Sequence, residues 1–469
     1  MEQKSLFEKF KKNPLFWIFS GELFFFTLNV IFLIALLVAT FSFISSIFID
    51  EFEDPTDKAL VINPIGPIVE QVAGSNDPLQ EFTGEVPREL FVGDLMEVLN
   101  SAATDDRVQN ILLRLDNING TGQSVLYDVG NALQKLKDAG KKIIAVGDYY
   151  TRSSYYLASF ADEIILNTDG IVELYGFGRS RLFYKSLLDK LKIDFNVFRV
   201  GTFKSAVEPY IADEMSSAAK EANLSYLNVL WDSYKDVVAK NRGLSASEIQ
   251  NLVDNADVIL TNPDKSTAEA LKSYGLVDKL LPRTKTRTYL KEIFGESEDG
   301  KTFARISGYD YFQLLRSEKE QESSKDIISV IVARGTIVDG VQPPGMIGGD
   351  STSRLIREAH EDKNVKAIVL RVDSGGGGVF ASEQIRLELM EAKEKGITFI
   401  ASMGNVAASG GYWISANADE IWASHNTITG SIGIFGLLPT FDRALKEIGI
   451  SNDGVSTSKL DLSGDVTKP

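Results

Sequence analysis

The feature that most constrains the fold is an internal repeat. Residues 110–117, NILLRLDN, resemble residues 367–374, AIVLRVDS, and residues 155–164 resemble residues 412–421. Both matches have the same spacing of 257 residues (367 minus 110, and 412 minus 155). Self-similarity in a constant register predicts two copies of one structural unit within the chain.

Each copy alternates β-rich runs with helical patterns. The first copy has strand patterns at 111–115 and 142–146, with helical patterns at 124–139 and from Ser153 onward. The second has strand patterns at 327–332, 367–372 and 398–402, with helical patterns at 353–360 and 382–395. This alternation is typical of an α/β fold with a mainly parallel sheet in each copy.

The repeat also predicts the domain organisation. We expect an N-terminal repeat at 55–283, a connector at 284–325 that is rich in charge and poor in periodicity, and a C-terminal repeat at 326–469. The first repeat includes a long helix predicted over 213–241, with an apolar, core-facing stripe. Nothing equivalent follows the second repeat, so roughly 80 residues are expected to be missing after Pro469.

An uncharged stretch of sequence, residues 23–49, precedes the repeats. As a helix it would be about 40 Å long, more than the roughly 30 Å of a bilayer core, and it is too long for a signal peptide. Lysines precede this stretch and acidic residues follow it. The positive-inside rule therefore predicts a transmembrane anchor, with residues 1–22 in the cytoplasm and the remainder across the membrane.

Composition excludes several classes of function. The net charge is −16, with 49 basic against 65 acidic residues and no basic tract, which argues against a nucleic-acid partner. The chain has no cysteine, so it has neither disulfides nor a thiol nucleophile. Its two histidines, His360 and His425, exclude a histidine-rich metal site, and we expect neither a metal nor an organic cofactor.

The stretch 399–436 holds a candidate nucleophile. An apolar run leads into AASGG, and an apolar segment follows, which predicts a strand, a tight turn carrying Ser409, and a helix. Four glycines, 375–378, follow the strand at 367–372, and their N–H groups could form an oxyanion hole with that of Gly410. Taken alone, the first motif is better explained by a glycine-rich helix entry with an incidental serine, and the second by a flexible turn; the rest of the chain reverses that balance.

A serine nucleophile needs a base, and the repeat suggests where that base lies. We interpret His360 and His425 as surface residues, whereas Lys204 lies among small and apolar residues in GTFKSAVEP. At the repeat spacing, Ser409 corresponds to Arg152 and Lys204 corresponds to Asp461. Each copy therefore has the group that the other lacks, which favours one composite site shared between them.

Three motifs carry a family resemblance. Residues 201–210 (GTFKSAVEPY), 407–413 (AASGGYW) and 429–436 (TGSIGIFG) resemble the signal peptide peptidase A family in its long, membrane-anchored bacterial form. The resemblance implies two tandem repeats with the fold of Clp protease and the crotonases, following a transmembrane helix. It further implies an oligomer, a tetramer in the family, in the bacterial inner membrane with its catalytic part in the periplasm.

The resemblance also implies roles for particular residues. Ser409 would be the nucleophile, Lys204 the general base, Ser431 a hydroxyl that holds the lysine, and Gly376 and Gly410 the oxyanion donors. The substrates would be cleaved signal peptides and other unfolded peptides. One departure is Gly375, where the family usually has proline, so the turn is expected to be looser.

Two alternatives remain at this stage. A crotonase-like acyl-CoA hydratase or isomerase would also use a glycine oxyanion hole, but it predicts acidic residues over the hole and a cytoplasmic location. A catalytically silent membrane scaffold would use Ser409 and Lys204 only as structural residues. Loss of peptide cleavage on replacing either residue distinguishes an enzyme from a scaffold.

Overall fold

The computed structural model describes residues 29, 32–36, 38, 53–74, 88–261, 264–319, 326–458 and 465–468. The chain forms two compact units, residues 1–53 and 54–469. Residues 29, 32–36 and 38 of the first unit are helical, and the predicted anchor at 23–49 otherwise lies outside the described residues. Within the described residues, no helix has both the length and the apolar character required to cross a bilayer.

The second unit contains two parallel sheets, which confirms the predicted α/β class. The strands are β1 Ala59–Ile62, β2 Ile68–Val69, β3 Leu90–Phe91, β4 Asn110–Leu113, β5 Lys142–Tyr150, β6 Glu163–Val172, β7 Asp194–Arg199, β8 Lys279–Leu280, β9 Arg305–Ser307, β10 Ile327–Arg334, β11 Ile337–Val338, β12 Ile347–Gly348, β13 Val365–Ser374, β14 Thr398–Ala408, β15 Glu420–Ala423, β16 Ile428–Gly430 and β17 Phe435–Thr440. The larger sheet has six strands in the order β8-β6-β5-β4-β1-β9, and the smaller has β10-β13-β14-β15 with β16 also paired to β14.

Helices connect the strands and cover the sheets. Those of the second unit are α1 Val92–Thr104, α2 Gln123–Asp138, α3 Arg152–Ala158, α4 Lys185–Lys190, α5 Glu208–Ile211, α6 Ser217–Arg242, α7 Ala246–Asp254, α8 Ala256–Ile259, α9 Thr267–Ser273, α10 Arg283–Phe294, α11 Gly308–Glu318, α12 Gly349–Glu361, α13 Val379–Glu394, α14 Gly410–Ser415 and α15 Asp442–Glu447. The predicted helices at 124–139, 213–241 and 382–395 are confirmed as α2, α6 and α13, with ends displaced by a few residues.

The internal repeat is visible as the same order of elements in each sheet. The succession β4, α2, β5, α3, β6 in the first sheet is matched by β13, α13, β14, α14, β15 in the second. In the first sheet, the central strand β4 is buried on both faces, as expected for a parallel strand covered on both sides. In the second sheet, β13 alternates largely between buried and partly exposed residues. One core lies between the first sheet and its helices, and a separate core lies between the second sheet and α12 and α13.

The segment 284–325, predicted as a connector with little periodicity, has regular structure in its described part. Helix α10 covers one face of the first sheet, β9 pairs in parallel with β1, and α11 packs into the first core. The buried residues Thr286, Leu290 and Phe294 recur every fourth position, which is a helical period. Charged residues between them obscured this period. Residues 320–325 lie outside the described residues.

The two repeats are held together by polar contacts and by a strand pair. Strand β7 of the first repeat pairs antiparallel with β17 of the second. Arg371 of the second sheet donates two hydrogen bonds to Glu70 of the first repeat, at 2.6 and 3.0 Å. Asn405 Oδ1, at the end of the second sheet, accepts from the backbone N–H groups of Ser124 and Val125 at the start of α2.

This last contact is a helix cap supplied by the other repeat. We expect Asn405→Ala to lower the free energy of unfolding by about 1 kcal/mol, because two N–H groups of α2 lose their acceptor. Urea denaturation of the full chain measures the change. Asn131→Ala is the control, since Asn131 is exposed on the same helix. Equal stability of the Asn405 variant and the wild type would contradict the capping role.

Candidate active site

Ser409 occupies a sharp turn between β14 and α14. Its backbone has φ 54° and ψ −117°, a conformation that residues other than glycine rarely adopt. The turn is held because the Ser409 N–H donates to the Gly430 carbonyl at 2.9 Å, while its carbonyl accepts from Trp413 N at 2.9 Å. Such a strained turn from strand to helix, as in nucleophile elbows, places a hydroxyl at the carboxyl edge of a sheet. The predicted turn is confirmed.

Lys204 reaches this edge from the first repeat. It follows β7, and pairing of β7 with β17 brings the loop at 200–204 against the loop at 431–434. The Val200 N–H donates to the Ile434 carbonyl at 3.0 Å. A side chain at Gly433, where φ is 130°, would lie 2.2 Å from the Val200 carbonyl oxygen, so the close approach requires glycine.

The lysine amine and the serine hydroxyl are in direct contact within one chain. Lys204 Nζ lies 2.8 Å from Ser409 Oγ and 2.8 Å from the Ser431 carbonyl oxygen. The Lys204 residue is 5% exposed, and burial lowers the pKa of its amine. A neutral amine that donates to the Ser431 carbonyl keeps its lone pair for the proton of Ser409. The arrangement can therefore activate the hydroxyl as a nucleophile.

The backbone carbonyl of Ser431 lies closer to the Lys204 amine than its side-chain hydroxyl does. Its carbonyl contacts Lys204 Nζ at 2.8 Å, whereas its Oγ is 3.5 Å from the same atom. Ser431 has a positive φ of 47°, directly after strand β16. The sequence shows a hydroxyl at this position but does not show that the turn aims the carbonyl at the lysine.

The glycine loop after β13 lies beside the serine. An added Cβ at Gly376 would lie 2.8 Å from Ser409 Cβ. The Gly376 N–H donates to Ser374 Oγ at 3.1 Å, so it is already occupied. Within the described residues, the N–H groups of Gly377 and Gly410 have no acceptor, and a Cβ at Gly410 would lie 3.1 Å from Gly377 N. The geometry favours Gly377 over Gly376 as the partner of Gly410, a choice that four successive glycines do not reveal.

We expect Gly376→Ala to lower kcat about 100-fold. Its φ of 93° is strained for alanine, and the added Cβ would meet Gly410 N at 2.4 Å, so the loop and the serine turn must move apart. Steady-state kinetics on a fluorogenic peptide measures the loss. Gly375→Ala is the matched control, because nothing lies within 4 Å of a Cβ at that position. Equal activity of the two variants would contradict the packing argument.

Neither histidine contacts Ser409. His425 is exposed, as predicted. The interpretation of His360 as a surface residue is wrong: it is 7% exposed, with its Nε2 3.0 Å from Glu388 and its Nδ1 3.1 Å from Lys395. The ring is covered by charged side chains, because Glu388 of α13 and Lys395, which directly follows α13, each contact one of its nitrogens. In the described part of the chain, no cluster of three or more His, Cys, Asp or Glu is placed to hold a metal ion.

The counterpart of Ser409 in the first repeat is Arg152, which begins α3. Its guanidinium stacks over the ring of Phe177 at 3.7 Å and lies 4.8 Å from the ring of Tyr175. It also donates to the Gly176 carbonyl at 3.0 Å. The equivalent edge of the first sheet therefore carries a packed cation instead of a nucleophile, consistent with one composite site.

A serine hydroxyl in contact with a buried lysine amine, at a glycine-lined turn, is the arrangement of serine–lysine hydrolases. Comparison with known proteins agrees with this class. The model of Peptidase family S49 matches residues 135–293 and 391–468, which include Lys204 and Ser409. Together with the relatives described next, this match shows that the chain belongs to peptidase family S49, and it confirms the resemblance inferred from the three motifs.

Three relatives with similar sequences carry the name of a protease. Protease 4 of Salmonella typhi is 43% identical over 409 residues, covering 86% of this chain and 63% of that protein. Protease 4 of Haemophilus influenzae is 40% identical over 443 residues, covering 92% of this chain and 71% of that protein. The chloroplastic serine protease SPPA of Arabidopsis thaliana is 28% identical over 391 residues, covering 81% of this chain and 55% of that protein. The chain thus spans about two thirds of the length of the two bacterial relatives.

Proposed function

We propose that the protein is a serine endopeptidase in which Ser409 is the nucleophile and Lys204 the general base. The observation that carries the proposal is the 2.8 Å contact between Lys204 Nζ and Ser409 Oγ, with the amine buried and its pKa lowered. A buried neutral amine at this distance can take up the hydroxyl proton as bond formation begins.

Acylation follows from this geometry. Ser409 Oγ attacks the peptide carbonyl, and its proton passes to Lys204 Nζ. The carbonyl oxygen becomes negatively charged and accepts hydrogen bonds from the N–H groups of Gly377 and Gly410, each worth about 3 kcal/mol in the transition state. The ammonium of Lys204 then gives its proton to the leaving amine as the C–N bond breaks, which leaves an ester on Ser409.

Deacylation uses the same groups in reverse. Lys204, neutral again, removes a proton from a water molecule that attacks the ester carbonyl. The tetrahedral intermediate is stabilised by the same two N–H groups, and its collapse returns a proton to Ser409 Oγ. The Ser431 carbonyl orients the amine throughout, since it accepts one of the amine's hydrogens.

The substrates we propose are apolar peptides, cleaved signal peptides in particular. Large apolar side chains surround the dyad and remain exposed: Val200 at 65%, Phe203 at 54% and Ile432 at 69%. They offer contacts to an extended apolar peptide. One relative, 36% identical over 115 residues, is named a putative signal peptide peptidase in Enterococcus faecium. The uncharged segment 23–49 supports anchoring in the inner membrane with the site on the periplasmic side. By family resemblance we also propose a homo-oligomer, a tetramer.

The test compares two peptides with the detergent-solubilised full chain. One is an apolar, leucine-rich fluorogenic peptide, and the other carries lysines at two of the leucine positions. We expect kcat/KM to be at least tenfold higher for the apolar peptide, because each buried apolar side chain contributes about 1.5–3 kcal/mol. Ser409→Ala gives the background. Equal rates for both peptides would contradict the substrate class, and rates no higher than background would contradict the peptidase.

A further inference from the structure

A cavity of about 280 Å³ lies in the first repeat, between α10 and one face of the first sheet, and we call it the arginine cavity. Its floor is apolar and its rim is charged. The floor is formed by Leu112, Val146, Ile165, Leu281, Leu290 and Phe303. The rim is formed by Arg114, Arg283, Arg287, Arg305, Asp116 and Asp148.

The rim carries more positive charge than its own acids neutralise. Arg283 donates to Asp148 at 2.7 Å, and Asp116 accepts from the backbone N–H of Asp148. Among the described residues, Arg114, Arg287 and Arg305 form no ion pair. Four arginines and two aspartates leave a local charge of +2 (4 minus 2) in a chain whose net charge is −16. An anion at the rim would supply the missing partner.

The second repeat shows which group binds the arginine at the position equivalent to Arg114. Arg371 corresponds to Arg114 at the spacing of 257, and Val369 likewise corresponds to Leu112. In the second sheet, Arg371 holds the Glu70 carboxylate through two hydrogen bonds of 2.6 and 3.0 Å. Glu70 comes from the first repeat and is 5% exposed. The same sheet position thus holds a carboxylate through two hydrogen bonds in one copy. In the other copy, the charge of Arg114 acts on nearby Asp148, but within the described residues Arg114 forms neither a hydrogen bond nor a close ion pair with a carboxylate.

We propose that the arginine cavity binds an amphipathic anion, namely a single carboxylate on an apolar chain. A guanidinium group can donate two parallel hydrogen bonds to one carboxylate, and the apolar floor can accept an aliphatic chain. The volume lies near the lower end of small-molecule sites, roughly 300–1,000 Å³. A free fatty acid and the C-terminus of a short apolar peptide share this chemistry. The site does not involve Ser409 or Lys204, so it is independent of the proposed peptidase activity.

Calorimetric titration of the full chain tests both parts of the ligand. We expect decanoate to bind at least tenfold more tightly than acetate, because only decanoate reaches the apolar floor. Acetyl-trileucine and its C-terminal amide distinguish the sources: preference for the free acid over the amide by tenfold or more supports a peptide terminus, whereas binding of decanoate alone supports a fatty acid. Equal affinity of decanoate and acetate, or absence of binding by all four compounds, would overturn the proposal.

Variants test the site itself. Arg114→Gln and Arg287→Gln are each expected to weaken decanoate binding about tenfold, since each removes a charge-assisted hydrogen bond. Arg354→Gln is the matched control, because Arg354 is exposed on α12 of the other repeat and changes the net charge equally. Peptide cleavage by all three variants should equal that of the wild type, which shows that they fold. The proposal fails if Arg354→Gln weakens decanoate binding as much as Arg114→Gln and Arg287→Gln do. It also fails if Arg114→Gln leaves decanoate binding unchanged and alters only the oligomeric state.

Discussion

Ser409→Ala is expected to lower kcat for peptide cleavage by about 10⁶-fold, which leaves a residual rate about 10³–10⁴-fold above the uncatalysed attack by water. The substitution removes the hydroxyl that lies 2.8 Å from the Lys204 amine, so neither the acyl-enzyme nor its hydrolysis is available. The N–H groups of Gly377 and Gly410, which we propose as the oxyanion donors, remain and would account for the residual rate. Steady-state assays of the full chain measure the loss, and mass spectrometry with a fluorophosphonate detects the adduct on Ser409 in the wild type.

Ser153→Ala is the matched control for this experiment. Ser153 lies at the corresponding edge of the first sheet, one residue after Arg152, the counterpart of Ser409. We expect the Ser153 variant to cleave peptides at the wild-type rate and to form the same adduct. Retention of activity by Ser409→Ala, or an adduct on another serine, would contradict the assignment of the nucleophile.

Lys204→Met has the second largest expected effect. We expect kcat to fall by about 10²–10⁴-fold with little change in KM, because methionine fills a similar volume but cannot take up the Ser409 proton. Lys190→Met, an exposed lysine of the same repeat, is the control and should leave kcat unchanged. A rise in KM with an unchanged kcat would indicate that Lys204 only binds substrate.

The same variant should be more stable than the wild type. Burial lowers the pKa of Lys204 in the folded chain, so at neutral pH the unfolded chain binds the lysine proton more strongly than the folded chain. The buried amine therefore costs stability below its unfolded pKa, and this cost decreases as the pH rises toward that value. We expect Lys204→Met to raise Tm at pH 7 and the difference to shrink at higher pH. A lower Tm for the variant would contradict a net cost of burying the amine.

The sequence predicted those parts of the fold that depend on local pattern and on the repeat. Periodicity located α2, α6 and α13, and the constant spacing predicted two similar parallel sheets. The complementary loss of Ser409 in one copy and Lys204 in the other predicted a composite site. In each case, the information lies in residue types at fixed spacing.

The features that were missed depend on contacts between distant segments. Nothing in the period of either segment encodes the antiparallel pairing of β7 with β17, yet this pairing places Lys204 beside Ser409. Capture of the Gly376 N–H by Ser374 depends on the path of the loop, which a run of glycines does not specify. The helix at 283–294 was missed because three buried residues among many charges give a weak pattern.

The central claim, that Lys204 acts as a neutral amine, is tested most directly by the pH dependence of Ser409 acylation. The measured quantity is the rate of fluorophosphonate labelling of Ser409 from pH 5 to 11. We predict that the wild-type rate rises with pH around a midpoint below the ordinary lysine value of about 10.4, because burial makes the neutral amine available at lower pH. Lys204→Met should lose that rise. A wild-type midpoint at or above 10.4, or the same profile in the variant, would contradict the account.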